Sequence, residues 1–334
     1  MELMRDSIPT VSLVVSAAAL YARVGPGLPR LTALLPAVAC FAAAPFAFSS
    51  AVLRCSAALS LAWPGIFKVG LLAAGRGPLD PASPALRFVL AAALPVELTS
   101  GAAARSEAEQ AESLVTCALK AAFTAELLLR RRRSLGALHL YARVALYGAH
   151  VWCALELAFA SAAAACGAAL GGVAKVRPAF VRPYLATSLR DLWGRRWNLP
   201  ASTVLRAAVY EPVRARAGKE AGILAAFLVS GVMHEVLVYY FTLRRPTGEM
   251  AAYFLLHGAC RVAEEWCARR WAARGWPAPP RPVATLLVWV FVVGTSSWLV
   301  LVAVCQEGRE EALLNEPEAV AAFFAAPIEC SAAP

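Results

Sequence analysis

Hydrophobic and polar positions fall along the chain in long blocks, not in alternation. Continuous apolar stretches occupy Ser7–Val24, Leu31–Leu53, Cys55–Ala74, Ala85–Leu98, Ser113–Leu129, two tight spans within Leu135–Val173, Ala221–Phe241, Met250–Ala268 and Val283–Cys305. About 20 consecutive apolar residues cross a bilayer as a helix. The pattern therefore predicts an all-α polytopic membrane protein of about 8–10 transmembrane helices. Barrel strands would alternate apolar and polar positions, and these Ala/Leu-rich blocks do not. Several blocks are interrupted: Leu61–Gly70 contains Pro64, Gly65 and Lys68, and Leu94–Glu97 contains Pro95. Such breaks persist in a membrane where neighbouring helices or a cavity satisfy the freed backbone groups, so an internal chamber is expected.

Composition agrees. Of 334 residues 60% are hydrophobic and 16% charged, with a mean hydropathy of +0.59; soluble domains lie nearer half apolar and a quarter charged. The net charge of +10 does not point to nucleic acid, because a membrane protein concentrates Lys and Arg in cytosolic loops facing anionic lipid. The basic segments are Arg130–Arg133, Lys175–Lys219 and Arg261–Arg281. Acidic residues collect at Glu107, Glu109 and Glu112 and in the tail from Glu307 to Glu329. Ten spans place every basic loop on one face and every acidic segment on the other, with both termini luminal. The nine cysteines form no CxxC pair and read as small core residues. The N-terminal block lacks a positively charged n-region and is expected to remain as the first span. No internal repeat is apparent, so residues 1–334 read as a single integral-membrane domain.

An ionisable residue inside a span is a functional candidate, since burying it is costly. His139 and His150 share a segment with Arg143 and read as amphipathic or cavity-lining. His257 precedes Arg261, Glu264 and Glu265 at helical spacing; it belongs to a polar face or lines a substrate site. His234 lies in "FLVSGVMHEVLVYYF", with only Ser230 and Glu235 as polar neighbours. Spacing leaves two readings open for it: a structural histidine bonded to a neighbouring helix, or a general base kept neutral by apolar surroundings. Glu235 points about 100° away around the helix and is expected to hold the fold.

"SLRDLWGRRWNLP", Ser188–Pro200, is basic and tryptophan-rich. Trp193 and Trp197 would share one helical face, as in an element at the membrane interface. Arg190, Arg195 and Arg196 could meet phosphates of lipid or of coenzyme A, or serve as an anchor only. Asn198 could donate to an oxyanion at little charge cost. No GxSxG, P-loop, GxGxxG, HExxH, HxxxD or histidine box is present, so no metal or cofactor motif is visible.

The Ser188–Pro200 motif, followed by Gly231–Glu235, resembles the plant wax synthase family. These are long-chain-alcohol O-fatty-acyltransferases of the membrane-bound O-acyltransferase superfamily. "PRLTALLPAVACFAAAPFAFSS" (Pro29–Ser50), "LAWPGIFKVGLLAAGRGPLDP" (Leu61–Pro81), "RFVLAAALPVEL" (Arg87–Leu98) and "TGEMAAYFLLHG" (Thr247–Gly258) resemble further family blocks in the same order. The resemblance implies a multi-pass endoplasmic-reticulum enzyme with a catalytic core at about 175–270. It would esterify a fatty alcohol with acyl-CoA as co-substrate, with His234 and Asn198 in the catalytic positions. Arg190, Trp193, Arg195, Arg196, Trp197, Ser230 and His257 are the candidate substrate contacts. Glu97 stands where the family often has lysine. A sterol or diacylglycerol acceptor is the alternative within the same chemistry. A transporter or lipid-binding protein, with His234 and a His257–Arg261–Glu264 relay, is the alternative outside it.

Overall fold

Prolines, glycines and short side-chain caps set where the helices begin and break. The computed structural model describes residues 24–99, 113–131, 139–171 and 175–300. The expected span Ser7–Val24 (apart from Val24), the Glu107–Glu112 segment and the acidic tail lie outside them. Helix α1 (Leu28–Ala43) starts behind Gly27 with a proline in its first turn, where a missing N–H costs nothing. Helix α2 (Ala51–Ala73) starts on Ser50, whose hydroxyl accepts from Leu53 N. Pro64 sits inside a π-helical stretch of α2, Ala58–Gly65, the wider winding that lets the ring stay in the helix.

Helix α3 (Ala85–Ala93) has 9 residues, about 13 Å at 1.5 Å per residue. That is too short to cross a core of about 30 Å, so Ala85–Leu98 is not the span its hydropathy predicts. The chain turns at Pro95 instead. Lys68 Nζ, buried on α2, donates to the carbonyls of Ala91 (2.7 Å), Leu94 (2.7 Å) and Val96 (3.2 Å). The ammonium thus satisfies the carbonyls that the break frees, as the interruption required.

Helices α4 (Leu114–Arg131) and α5 (Leu140–Ala169) lie antiparallel. Lys120 pairs with Glu156, and Thr124 Oγ1 lies 3.1 Å from His150 Nδ1. Helix α5 runs unbroken for 30 residues, where two spans were expected. It contains no proline and is rich in alanine, the best helix former, so nothing in it makes a turn. With both the split and the Ala85–Leu98 crossing gone, the charge segregation that motivated ten spans no longer follows.

A two-residue antiparallel ladder pairs Leu98–Thr99 with Lys175–Val176 and brings the following basic segment beside the end of α3. That segment holds helix α6 (Leu189–Asp191), a π turn at Leu192–Arg196, and helix α7 (Leu199–Leu205). Helix α8 (Glu211–Thr242) breaks at Gly218, whose φ of 90° and ψ of 174° suit only glycine. The part beyond the break matches the expected Ala221–Phe241 span. Helices α9 (Glu249–Ala273) and α10 (Arg281–Thr295) follow.

Helices α8 and α9 form the tightest pair. A Cβ at Gly231 would lie 2.8 Å from Ala251 Cα, so only glycine permits this approach. Glu235, one turn on, accepts from Met250 N (2.8 Å) and Ala251 N (3.1 Å). It caps α9 from the side, the fold-holding use expected of it. At the C-terminal end of α8 the Arg54 guanidinium, from α2, donates to the carbonyls of Phe48, Ser49 and Phe241 (3.1 Å each) and of Tyr240.

Five helical stretches among the described residues are long and apolar enough to cross a membrane: Leu28–Ala47, Ala51–Ala73, Tyr141–Ala169, Leu199–Thr242 and Arg281–Val300. Many of their outward side chains are large and apolar. Leu286, Leu287 and Val290 on α10 are 63%, 61% and 61% exposed, which is tolerable against lipid and would be an aggregation hazard in water. Cys117, Cys153 and Cys166 are buried, in keeping with a core role.

Candidate active site

His234 sits one turn past Ser230 on α8, and its Nδ1 lies 2.7 Å from the Ser230 carbonyl oxygen. A carbonyl only accepts, so Nδ1 carries the proton and Nε2 keeps its lone pair. The half-buried ring is held by two aromatic neighbours. Phe254 of α9 stacks at a centroid distance of 4.2 Å, and Trp63 of α2 meets it edge-on at 5.4 Å. In the neutral imidazole this contact leaves Nε2 as the available nitrogen. Ser230 is buried and contributes its backbone oxygen.

Asn198 is in the left-handed region, with φ 43° and ψ 62°, one of the few non-glycine types that adopt it. Its Oδ1 accepts from Ala201 N at 3.3 Å and caps α7. With Oδ1 occupied, Nδ2 is the end of the amide left to donate outward. Asn198 lines a small apolar cavity with Leu59, Trp63, Pro64, Pro95, Phe159, Pro200 and Ala201. Trp63 therefore touches both the cavity that holds Asn198 and the ring of His234. The cavity lies beside the Pro64 and Pro95 breaks, where internal space was expected. Its volume is about 10 Å³, room for about one water. A larger cleft of about 360 Å³ opens at the surface between α2 and the start of α8, lined by Phe67, Gly70, Arg76, Ala207 and Pro212 among others.

The Trp193–Trp197 pair departs from the interfacial face expected of it. Because Leu192–Arg196 is a π turn, the two rings meet edge to face at 6.2 Å and pack inward. Trp197 packs on Phe180 and Trp193 on Phe227, Phe254 and His257. His257 is fully buried, at 0% exposure. Its Nδ1 accepts from Trp193 Nε1 at 3.2 Å, and its Nε2 bonds Thr295 Oγ1 at 2.9 Å. The polar face foreseen on α9 is real for Arg261 and Glu265, which pair at 3.1 Å. His257 points away from that pair, towards Trp193.

The three arginines separate. Arg196 is committed to structure: Nε donates to Asp191 Oδ2 at 2.7 Å, and a second nitrogen to the carbonyls of Val181 and Arg182. Arg190 and Arg195 are exposed. Glu264 accepts from Leu189 N (2.7 Å) and Arg190 N (3.1 Å), so its carboxylate anchors α6 to α9. Glu97, in the family's lysine position, accepts from Thr203 Oγ1 at 3.1 Å and pairs with Arg177 at 3.4 Å. Trp63, Phe254 and Ser202 were not foreseen at the site, and Glu264 was expected on a polar face or relay with His257 and Arg261, not on the backbone of α6. Trp63 and Phe254 lie within the quoted blocks, but nothing in their spacing marks them as neighbours of His234.

The sequence profile of the Membrane bound O-acyl transferase family matches residues 176–256, the stretch that contains Asn198, His234 and Phe254. A "Probable long-chain-alcohol O-fatty-acyltransferase 1" of Arabidopsis thaliana is 34% identical over 304 residues, 87% of each chain. The "Long-chain-alcohol O-fatty-acyltransferase" of Simmondsia chinensis is 34% identical over 321 residues, 90% of each chain. An "Acyl-CoA--sterol O-acyltransferase 1" of Arabidopsis thaliana is 33% identical over 310 residues, 89% of this chain and 88% of that one. With identity at this level over nearly the whole of each protein, and the profile match centred on the His234 and Asn198 elements, this chain belongs to the membrane-bound O-acyltransferase family, in its plant long-chain-alcohol O-fatty-acyltransferase branch.

Proposed function

We propose that the protein transfers a fatty acyl group from acyl-CoA to the hydroxyl of a long-chain alcohol at the endoplasmic-reticulum membrane, releasing a wax ester and coenzyme A. The observation that carries this reading is the hydrogen bond from His234 Nδ1–H to the Ser230 carbonyl. It leaves Nε2 as a free base in surroundings of Phe254 and Trp63. Nε2 takes the alcohol proton as the hydroxyl oxygen attacks the thioester carbonyl. Asn198 Nδ2 donates to the oxyanion, a contribution that a dry site enlarges. The C–S bond then breaks, and the thiolate recovers the proton from His234 as coenzyme A leaves. No covalent acyl-enzyme is needed. Arg190 and Arg195, free and exposed beside α6, suit the coenzyme A phosphates, and the apolar helix faces suit entry of both alkyl chains from lipid.

A second reading replaces the alcohol with a sterol. The sterol acyltransferase relative is as similar as the alcohol acyltransferases, at 33% against 34%, so identity does not select between them. Microsomes containing the protein, given labelled acyl-CoA with fatty alcohol, sterol or diacylglycerol in turn, distinguish the acceptors. Ester from the alcohol alone is the expected outcome, and sterol ester without wax ester would replace it with the second reading. His234→Ala should lower ester synthesis by about 10² to 10⁴ in rate. A folded His234→Ala protein with near-full synthesis would refute the mechanism.

A further inference from the structure

We propose that His257 is a positioning residue: by holding Trp193 it sets the spacing between His234 and Asn198 without touching substrate. The inference rests on the acyl-transfer reading above and assigns a role that the mechanism does not use.

An indole N–H can only donate, so the 3.2 Å contact from Trp193 Nε1 makes His257 Nδ1 the acceptor. Nε2 then carries the proton and donates to Thr295 Oγ1 at 2.9 Å, and the Thr295 hydroxyl donates to the Phe291 carbonyl at 2.8 Å. The chain runs in one direction from the π turn through α9 to α10. A fully buried imidazole is costly to place, and here both its nitrogens are spent on alignment.

What is aligned is Trp193. Its ring packs on Phe254 at 5.7 Å, and Phe254 in turn lies 4.2 Å from His234. Its carbonyl accepts from Ser202 Oγ at 2.9 Å, and Ser202 belongs to α7, the helix that Asn198 caps. Trp193 is thus one contact away from the neighbour of each proposed catalytic group. It lies in a π turn, a winding frequent at functional sites. Helix α9 holds this turn through His257 and, two turns along, the preceding α6 through the Glu264 carboxylate on the backbone of Leu189 and Arg190. Misplacing reacting groups by about 1 Å can cost on the order of 10² in rate.

The test measures kcat, KM for acyl-CoA and the thermal midpoint in detergent for His257→Leu, His257→Asn, Trp193→Phe and the Trp193→Phe/His257→Leu double variant, with His234→Ala in the same assay. His257→Leu should lower kcat about tenfold or more, with KM within about twofold of wild type. His257→Asn, whose amide oxygen can still accept from the indole, should recover most of kcat. Trp193→Phe removes the donor, so the double variant should be no worse than the poorer single one. Trp193→Phe with His257→Asn gives the same reading should His257→Leu fail to fold. Unchanged kcat in folded His257→Leu, multiplicative losses in the double variant, or a folded His257→Asn as impaired as His257→Leu would each overturn the proposal. An active His234→Ala refutes the acyl-transfer mechanism itself, whereas an inactive His234→Ala beside an unaffected His257→Leu refutes only the role of His257.

Discussion

One hydrogen bond, from His234 Nδ1 to the carbonyl a turn earlier, decides which nitrogen can act as a base. The partner is local, yet the choice depends on the rotamer, and Phe254 and Trp63 set that rotamer from other helices. Asn198 shows the same division. Its αL backbone and its cap on Ala201 use the acceptor end of the amide and leave the donor end. Asn198→Asp keeps the cap and the shape but replaces the donor with a repelling carboxylate. It should leave the thermal midpoint near that of wild type and lower kcat by about 10² to 10³. Equal midpoints with equal kcat would remove Asn198 from the mechanism. His234 and Asn198 stood out in the sequence because a polar residue among apolar neighbours, and an amide after a basic tryptophan-rich run, are local features. The bonding of His257 was not legible, since its partners Trp193 and Thr295 lie 64 and 38 residues away.

Between helices, the α8–α9 crossing depends on a missing side chain and on one carboxylate. Gly231→Val would place a branched side chain where a Cβ already meets Ala251 Cα at 2.8 Å. Backbone atoms cannot yield cheaply there, so a loss of roughly 1–3 kcal/mol is expected, read as a fall in the folded fraction in detergent. Glu235→Ala should remove the cap from α9 at about 1 kcal/mol, while Glu235→Gln, which keeps an acceptor, should retain most of the stability. Comparing the two midpoints checks whether the interaction with Met250 N and Ala251 N is one of acceptor geometry. Helix boundaries were readable to the extent that proline, glycine and capping residues set them. The expected split of Leu135–Val173 into two spans failed, because it rested partly on loop charges and the helix Leu140–Ala169 contains no proline to break it.

At the scale of the molecule, large apolar side chains lie on the outside as well as in the core, and buried polar groups are held by hydrogen bonds, as a hydrocarbon environment demands. Trp298, 69% exposed, and Phe123, 69% exposed, are tolerable where hydrocarbon surrounds them. The protein should accordingly stay in the membrane pellet when microsomes are washed with alkaline carbonate and leave it only with detergent; release by carbonate would contradict the multi-pass reading. Membrane class, helical architecture and the Ser188–Pro200 and Gly231–Glu235 motifs could be read from the chain alone, because hydropathy, residue type and close spacing are one-dimensional properties. Three things required the folded molecule: the short α3 with its Lys68 clasp, the inward packing of Trp193 in a π turn, and the tautomers of His234 and His257. The clasp, the packing of Trp193 and the tautomer of His257 depend on partners far away in sequence, and that of His234 on a rotamer set by Phe254 and Trp63; a buried polar group takes its role from the neighbour that satisfies it.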